Sequence, residues 1–119
     1  MEQISMIKQR DLLLVPFPFS DQSGRKVIPV VVISNEQFNT HSEDVLIVGV
    51  TSNISKDKYT IDLKNNDLER GNLLTNCAIK AENVLKLDKE LIIKNIGKIN
   101  KDKLKQIISK IINILEIDS

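Results

Sequence analysis

The chain has 119 residues, 41% apolar and 28% charged, an ordinary globular composition that excludes a disordered or low-complexity protein. Seventeen Lys and Arg against sixteen Asp and Glu leave a formal charge of +1. That excludes a protein coating nucleic acid by bulk charge, though not one with a local basic patch. One cysteine and one histidine exclude an internal disulfide framework and a Cys/His zinc site.

The strand-like and helix-like segments follow in order. Asp11 to Phe17 reads as a strand ending in Pro16-Phe17-Pro18-Phe19. Ser20 to Lys26 is a polar loop with turn chemistry. Pro29 to Ser34 is a β-branched run expected as a buried strand, with Pro29 at its start, where a missing N–H is tolerated. Asn35 to Glu43 is polar and reads as a loop. Asp44 to Thr51 is a second buried strand, and Tyr59 to Leu63 alternates as a shorter one. Asn65-Asn66 and Arg70-Gly71-Asn72 read as turns; Cys77 to Leu87 and Leu91 to Ile99 read as strands. Leu104, Ile107, Ile108, Ile111, Ile112 and Leu115 then fall on one helical face, with Asn100 as N-cap. The expected class is mainly β with a C-terminal helix (α+β): a small, mostly antiparallel barrel or curled sheet with the helix packed alongside.

One domain over 1–119 is expected, with 1–9 as a flexible N-terminal arm. The apolar runs Val30 to Ile33 and Val45 to Val50 fall far short of the ~20 residues that span a bilayer. Met1 to Arg10 has no apolar leader core, so a cytoplasmic location without membrane contact is expected.

Chemistry can sit in three places. In the loop Ser20 to Lys26, Arg25 and Lys26 can reach a phosphate; the same residues also suit a solvated hairpin tip. Thr51-Ser52-Asn53 ends an apolar strand, where hydroxyls can bond a phosphate or simply cap a turn. Lys80 and Glu82, two apart, share one face of a strand and can act as acid and base about a phosphate, or be the polar face of a half-exposed strand. Cys77, with no histidine near it in sequence, reads as a small core residue, and His41 as exposed. Four aromatic residues, Phe17, Phe19, Phe38 and Tyr59, are too few for a broad base-stacking platform.

The order of these pieces resembles the MazF/PemK toxin family. Asp11 to Asp21, Ser23-Gly24 and Lys26 to Asn35 resemble its opening; Asp44 to Asn53 resembles its next strand; Leu87-Asp88-Lys89, Leu91 to Ile99 and the last helix resemble its closing half. The resemblance runs from about Arg10 to Leu115. It implies a small Src-homology-three-like antiparallel β-barrel of the CcdB/PemK type, a homodimer, and an antitoxin laid over its groove. It also implies sequence-selective cleavage of single-stranded RNA without metal or other cofactor, the ribose 2′-hydroxyl attacking the neighbouring phosphorus. Two positions depart from the family. The usual Arg before the second-strand proline is Ile28, and an Arg-x-Asp pair of one branch is Lys80 and Glu82. On this resemblance Glu82 is the base, Lys80 the acid or phosphate donor, and Thr51 and Ser52 the orienting hydroxyls. RNA contacts fall to Ser20, Gln22, Arg25, Lys26 and Asn53, with Arg25 or Lys26 replacing the missing cation. Two alternatives accompany it: a weakened or inactive member that still binds an antitoxin, and a CcdB-like toxin directed at gyrase.

Overall fold

The computed structural model describes residues 6–17, 26–54 and 57–119. Among these residues the elements are β1 (Asp11–Phe17), β2 (Lys26–Val32), α1 (Glu36–His41), β3 (Asp44–Thr51), β4 (Thr60–Leu63), β5 (Leu68–Gly71), β6 (Cys77–Asp88), β7 (Lys94–Ile99) and α2 (Lys101–Ile114). Every strand pair is antiparallel, in the order β4-β6-β3-β2-β1-β7-β5. Ile61 and Leu63 of one edge strand and Leu68 of the other pack on the same core, so the sheet curls into a half-barrel. The mainly β architecture with a closing helix is as the sequence implies.

Successive residues of a strand point to opposite faces, and here both faces are buried. Leu12, Val31, Val48, Val50 and Ile79 form one core with Leu104 and Ile107 of α2. Their neighbours Leu13, Val30, Val32, Val45 and Ile47 form a second core with Ile7 and Leu87. This double burial is why β1, β2 and β3 read as near-continuous apolar runs. The arm expected over 1–9 is tied down from Ile7 on: Ile7 lies in the second core, and Gln9 Nε2 donates to the Ile33 carbonyl at 2.8 Å.

Four boundaries differ from the sequence reading. Asn35 to Glu43 is not a loop but holds α1, whose N-cap Asn35 accepts from the Phe38 N–H at 3.0 Å. Six polar-rich residues carry no apolar period, so only the cap could have announced this helix. Arg70-Gly71 is not a turn but the end of β5, paired with Lys98 and Gly97. The second strand starts at Lys26, before Pro29, because β2 is paired with β1 alone until Val30 meets Gly49 of β3. The proline therefore removes no bond from the β3 ladder. The last strand starts at Lys94, after a 3₁₀ turn at Lys89–Leu91 capped by Asp88.

The α2 stripe packs along part of its length. Leu104 and Ile107 are buried and Ile111 touches the core, whereas Ile108, Ile112 and Leu115 remain exposed. Asn100 caps the helix as expected, accepting from the Lys103 N–H at 2.8 Å.

Gly71 has φ +90°, and a Cβ there would stand 2.1 Å from the Ile96 carbonyl oxygen. Gly71→Ala is therefore expected to destabilise the fold by about 1–3 kcal/mol, read as a lower urea midpoint at unchanged slope.

Candidate active site

Strand alternation decides which side chains meet. Phe17 continues the β1 row that holds Leu13 and Val15, and Lys26 and Ile28 continue the β2 row of Val30 and Val32. Gly49 and Thr51 continue the β3 row of Val45 and Ile47, and Lys80 of β6 lies directly across from Gly49. All six share one face of the sheet, at the end where the second core stops. They surround a recess of about 180 Å³, together with Asn83.

Two breaks in regularity shape it. In β6, Lys80 faces Gly49 while Val84 faces the preceding Val48, so Ala81, Glu82 and Asn83 form a bulge. Ala81 stays in the core, whereas Glu82 and Asn83 are exposed. The Asn83 side chain leans over Gly49, where a Cβ would lie 3.7 Å from its Nδ2. The second break is the gap between β2 and β3 before Val30. Through it Lys26, Ile28 and Thr51 also border a larger recess of about 630 Å³ at the mouth of the half-barrel.

The charges of the small recess are arranged around Lys80. Its Nζ is 3.5 Å from Glu82 Oε2 and 3.7 Å from Asp57 Oδ2, all partly solvated. Lys26 Nζ stands 6.0 Å from the Phe17 ring centroid and has no ion pair among the described residues. Thr51 Oγ1 accepts from the Asn53 N–H at 3.0 Å, which leaves its own hydroxyl proton to donate elsewhere.

Of the residues singled out in the sequence, Lys26, Thr51 and Lys80 come together here, and Glu82 joins through Lys80. Ser52 borders the larger recess, and Asn53 borders neither. Ser20, Gln22 and Arg25 lie outside the described residues. Ile28, at the family's arginine position, lines both recesses. Phe17, Asp57 and Asn83 were missed: Asn83 enters only through the bulge, and Asp57 only through a loop that no periodicity describes.

Among the described residues no three of His, Cys, Asp and Glu are grouped to hold a metal ion, and no helix is long and apolar enough to cross a membrane. His41 is exposed on α1, its Nδ1 2.9 Å from the Gln37 carbonyl. Cys77 is 6% exposed, and burial pushes its thiol pKa up. Alkylation proceeds through the thiolate, so native Cys77 is expected to react with iodoacetamide at pH 8 at least about tenfold more slowly than the urea-unfolded chain, followed by mass spectrometry.

Comparison with known proteins identifies the family of the chain and relatives of its fold. Residues 8–115 match the family model of the PemK-like, MazF-like toxins of type II toxin–antitoxin systems, and the chain belongs to that family. Among solved structures it is similar to a mycobacterial endoribonuclease in complex with its cognate antitoxin, at TM-score 0.75 and 17% identity, covering 95% of this chain and 98% of that one. It is also similar to a MazE–MazF complex from Deinococcus radiodurans, at TM-score 0.76 and 17% identity over 94% and 98% of the two chains. A third is the Mycobacterium tuberculosis toxin MazF-mt6, at TM-score 0.72 and 14% identity over 92% and 100%. At these identities the likeness is one of fold. A search of curated proteins found no match.

Proposed function

We propose that this chain is a toxin acting as a metal-independent, sequence-selective endoribonuclease on single-stranded RNA. The observation that carries the reading is the meeting of Lys26, Thr51 and Lys80 around one recess, with Glu82 in contact with Lys80. A scissile phosphate entering the recess exchanges the Lys80–Glu82 contact for a Lys80–phosphate contact and frees Glu82 to act. The ribose 2′-oxygen attacks phosphorus and its proton passes to Glu82; the bond to the 5′-oxygen breaks, and that oxygen takes a proton from Lys80. The products are a 2′,3′-cyclic phosphate and a 5′-hydroxyl. Lys26 and the Thr51 hydroxyl donate to the phosphorane oxygens, with Ser52 orienting the chain beyond.

Lys26 stands in for the absent family arginine. It lies two residues from Ile28 on the same face of β2, so its charge enters the same recess. The family and the endoribonuclease neighbours support the same activity. An antitoxin partner is supported by the neighbours solved as complexes. A homodimer is supported by Ile108, Ile112 and Leu115, an apolar stripe left exposed on α2. The reading places one toxin domain in the cytoplasm, where messenger RNA is met. A second reading rests on Ile28 itself: without the arginine the chain binds an antitoxin but cleaves nothing.

The test is cleavage of a varied RNA pool by purified protein in EDTA, with analysis of product ends. The parent is expected to leave 2′,3′-cyclic phosphates. Glu82→Gln and Lys26→Met, purified identically, are each expected to lose about 10²–10³ in rate. Equal cleavage by parent and Glu82→Gln removes Glu82 from the mechanism, and no cleavage by the parent selects the second reading.

A further inference from the structure

The mechanism proposed above asks one thing of Lys80 that the small recess alone does not supply. Its ammonium must stay aimed at the leaving 5′-oxygen after Glu82 has turned to the 2′-hydroxyl. A lysine is a point charge on a flexible four-carbon stem, so ordering it costs more than ordering the planar fork of an arginine. Among the described residues two carboxylates pair with Lys80, Glu82 at 3.5 Å and Asp57 at 3.7 Å. Glu82 follows Lys80 by two residues on β6. Asp57 comes from elsewhere, the connection between β3 and β4.

Asp57 is itself held. Thr60 Oγ1 donates to Asp57 Oδ1 at 3.1 Å, and the Thr60 N–H donates to the Asp57 carbonyl at 3.2 Å, closing a tight turn. Thr60 opens β4 directly opposite Lys80 of β6, so the two side chains stand on one face of the sheet. The register of β4 on β6 therefore brings the Asp57 carboxylate beside the amine. Its Oδ1 is taken by Thr60, and its Oδ2 is the atom nearer Lys80 Nζ. A reacting group is thus oriented by a second group and the second by a third. Neither Asp57 nor Thr60 lines either recess, so a strand of RNA seated there leaves both in place.

We infer that Asp57, anchored by Thr60, is the positioning residue of Lys80 and holds its ammonium on the leaving oxygen while Glu82 works as base. The inference rests on the ribonuclease reading. In the step it serves, the bond from phosphorus to the 5′-oxygen breaks, its electron pair stays on that oxygen, and the oxygen takes the proton from Lys80 Nζ. The neutral amine and the protonated Glu82 then exchange a proton through water, which returns both to their starting states. Asp57 touches neither the nucleotide nor the transferred proton. Its removal therefore harms the step and not the binding, since one carboxylate fewer beside the recess favours an anionic strand.

The experiment measures kcat and KM of the parent, Asp57→Asn, Thr60→Val and Thr60→Ser on one RNA in two forms. One form has the ordinary 5′-oxygen at the cut. The other has a bridging 5′-sulfur, which leaves as a thiolate and needs no acid. Asp57 is exposed and Thr60 half-buried, and Asp57→Asn keeps an acceptor for the Thr60 hydroxyl, so its melting temperature should match the parent's. On the oxygen form Asp57→Asn is expected to lose about 10- to 100-fold in kcat, with KM unchanged or lower. Thr60→Val is expected to lose about 3- to 10-fold, and Thr60→Ser, which keeps the hydroxyl, to recover the parent's rate. On the sulfur form every loss should shrink to within about threefold, because no proton is then asked of Lys80. Equal losses on both forms make Asp57 structural only and overturn the inference. So does a kcat that rises in Asp57→Asn, which makes the carboxylate a brake on Lys80. Cleavage by Asp57→Asn at the parent's rate overturns the inference and leaves the ribonuclease reading standing; no cleavage of either form by the parent overturns both. If Asp57→Asn melts below the parent, Thr60→Val against Thr60→Ser decides by the same comparison of oxygen with sulfur.

Discussion

The two-residue alternation of β1, β2, β3 and β6 is the constraint on which the rest of the molecule hangs. Both faces of the central strands are buried, so slipping any of them by one residue would exchange the contents of two cores at once. Register is therefore held by hydrophobic burial over most of each strand. The polar residues at the strand ends inherit that register without contributing to it. Phe17, Lys26, Thr51 and Lys80 face one another because Val15, Val30, Ile47 and Ile79 are packed where they are.

The recesses exist where this regularity is broken. Pro29 lies in the part of β2 that has only β1 beside it, and Pro16 lies beyond Leu14, the last residue of β1 to pair with β7. Each proline lacks an N–H, and each sits where no second ladder asks for one. The paired ends of β1 and β2 thus stand away from their outer neighbours, and space opens on both faces. The β6 bulge adds the third break, lifting Glu82 and Asn83 out while Ala81 keeps its place in the core. A regular sheet built from the same residues would bury the core equally well and would have no site.

This division explains what could be read in the sequence. The long apolar runs, the alternation in β4 and the helical stripe are direct images of burial, and β1, β3 and α2 were legible from them. α1 and β5 were not, because neither buries enough to leave a period: α1 is announced by its Asn35 cap, and β5 is made by backbone pairing to Gly97 across two glycines in close approach. The same rule holds within the site. Lys80 and Glu82 were visible as an i, i+2 pair, and Thr51 as the end of an apolar strand. Asp57 and Asn83 were not, since a loop contact and a bulge leave no trace in spacing. The stripe of α2 was legible as a helix but not as half-buried, because periodicity shows which residues are alike and not what lies opposite them.

On the proposed mechanism, the charge of the family arginine is supplied from another position of the same strand. Two residues along β2 is one full repeat of the pleat, so Lys26 presents its charge to the same face as Ile28. What does not move is geometry. A guanidinium offers a fixed planar fork to two phosphate oxygens, whereas an ammonium on a four-carbon stem is a point charge that must be ordered each time it binds. The ring of Phe17 beside Lys26 restrains part of that freedom. Lys80 carries the rest of the positive charge but spends it on Asp57 and Glu82 in the free protein. Among the described residues two lysines and two carboxylates meet at the small recess, which leaves it little net charge. Among the described residues the larger recess is lined by Lys26 and Lys94 and by no carboxylate, so the excess positive charge at this gap in the sheet lies on its side.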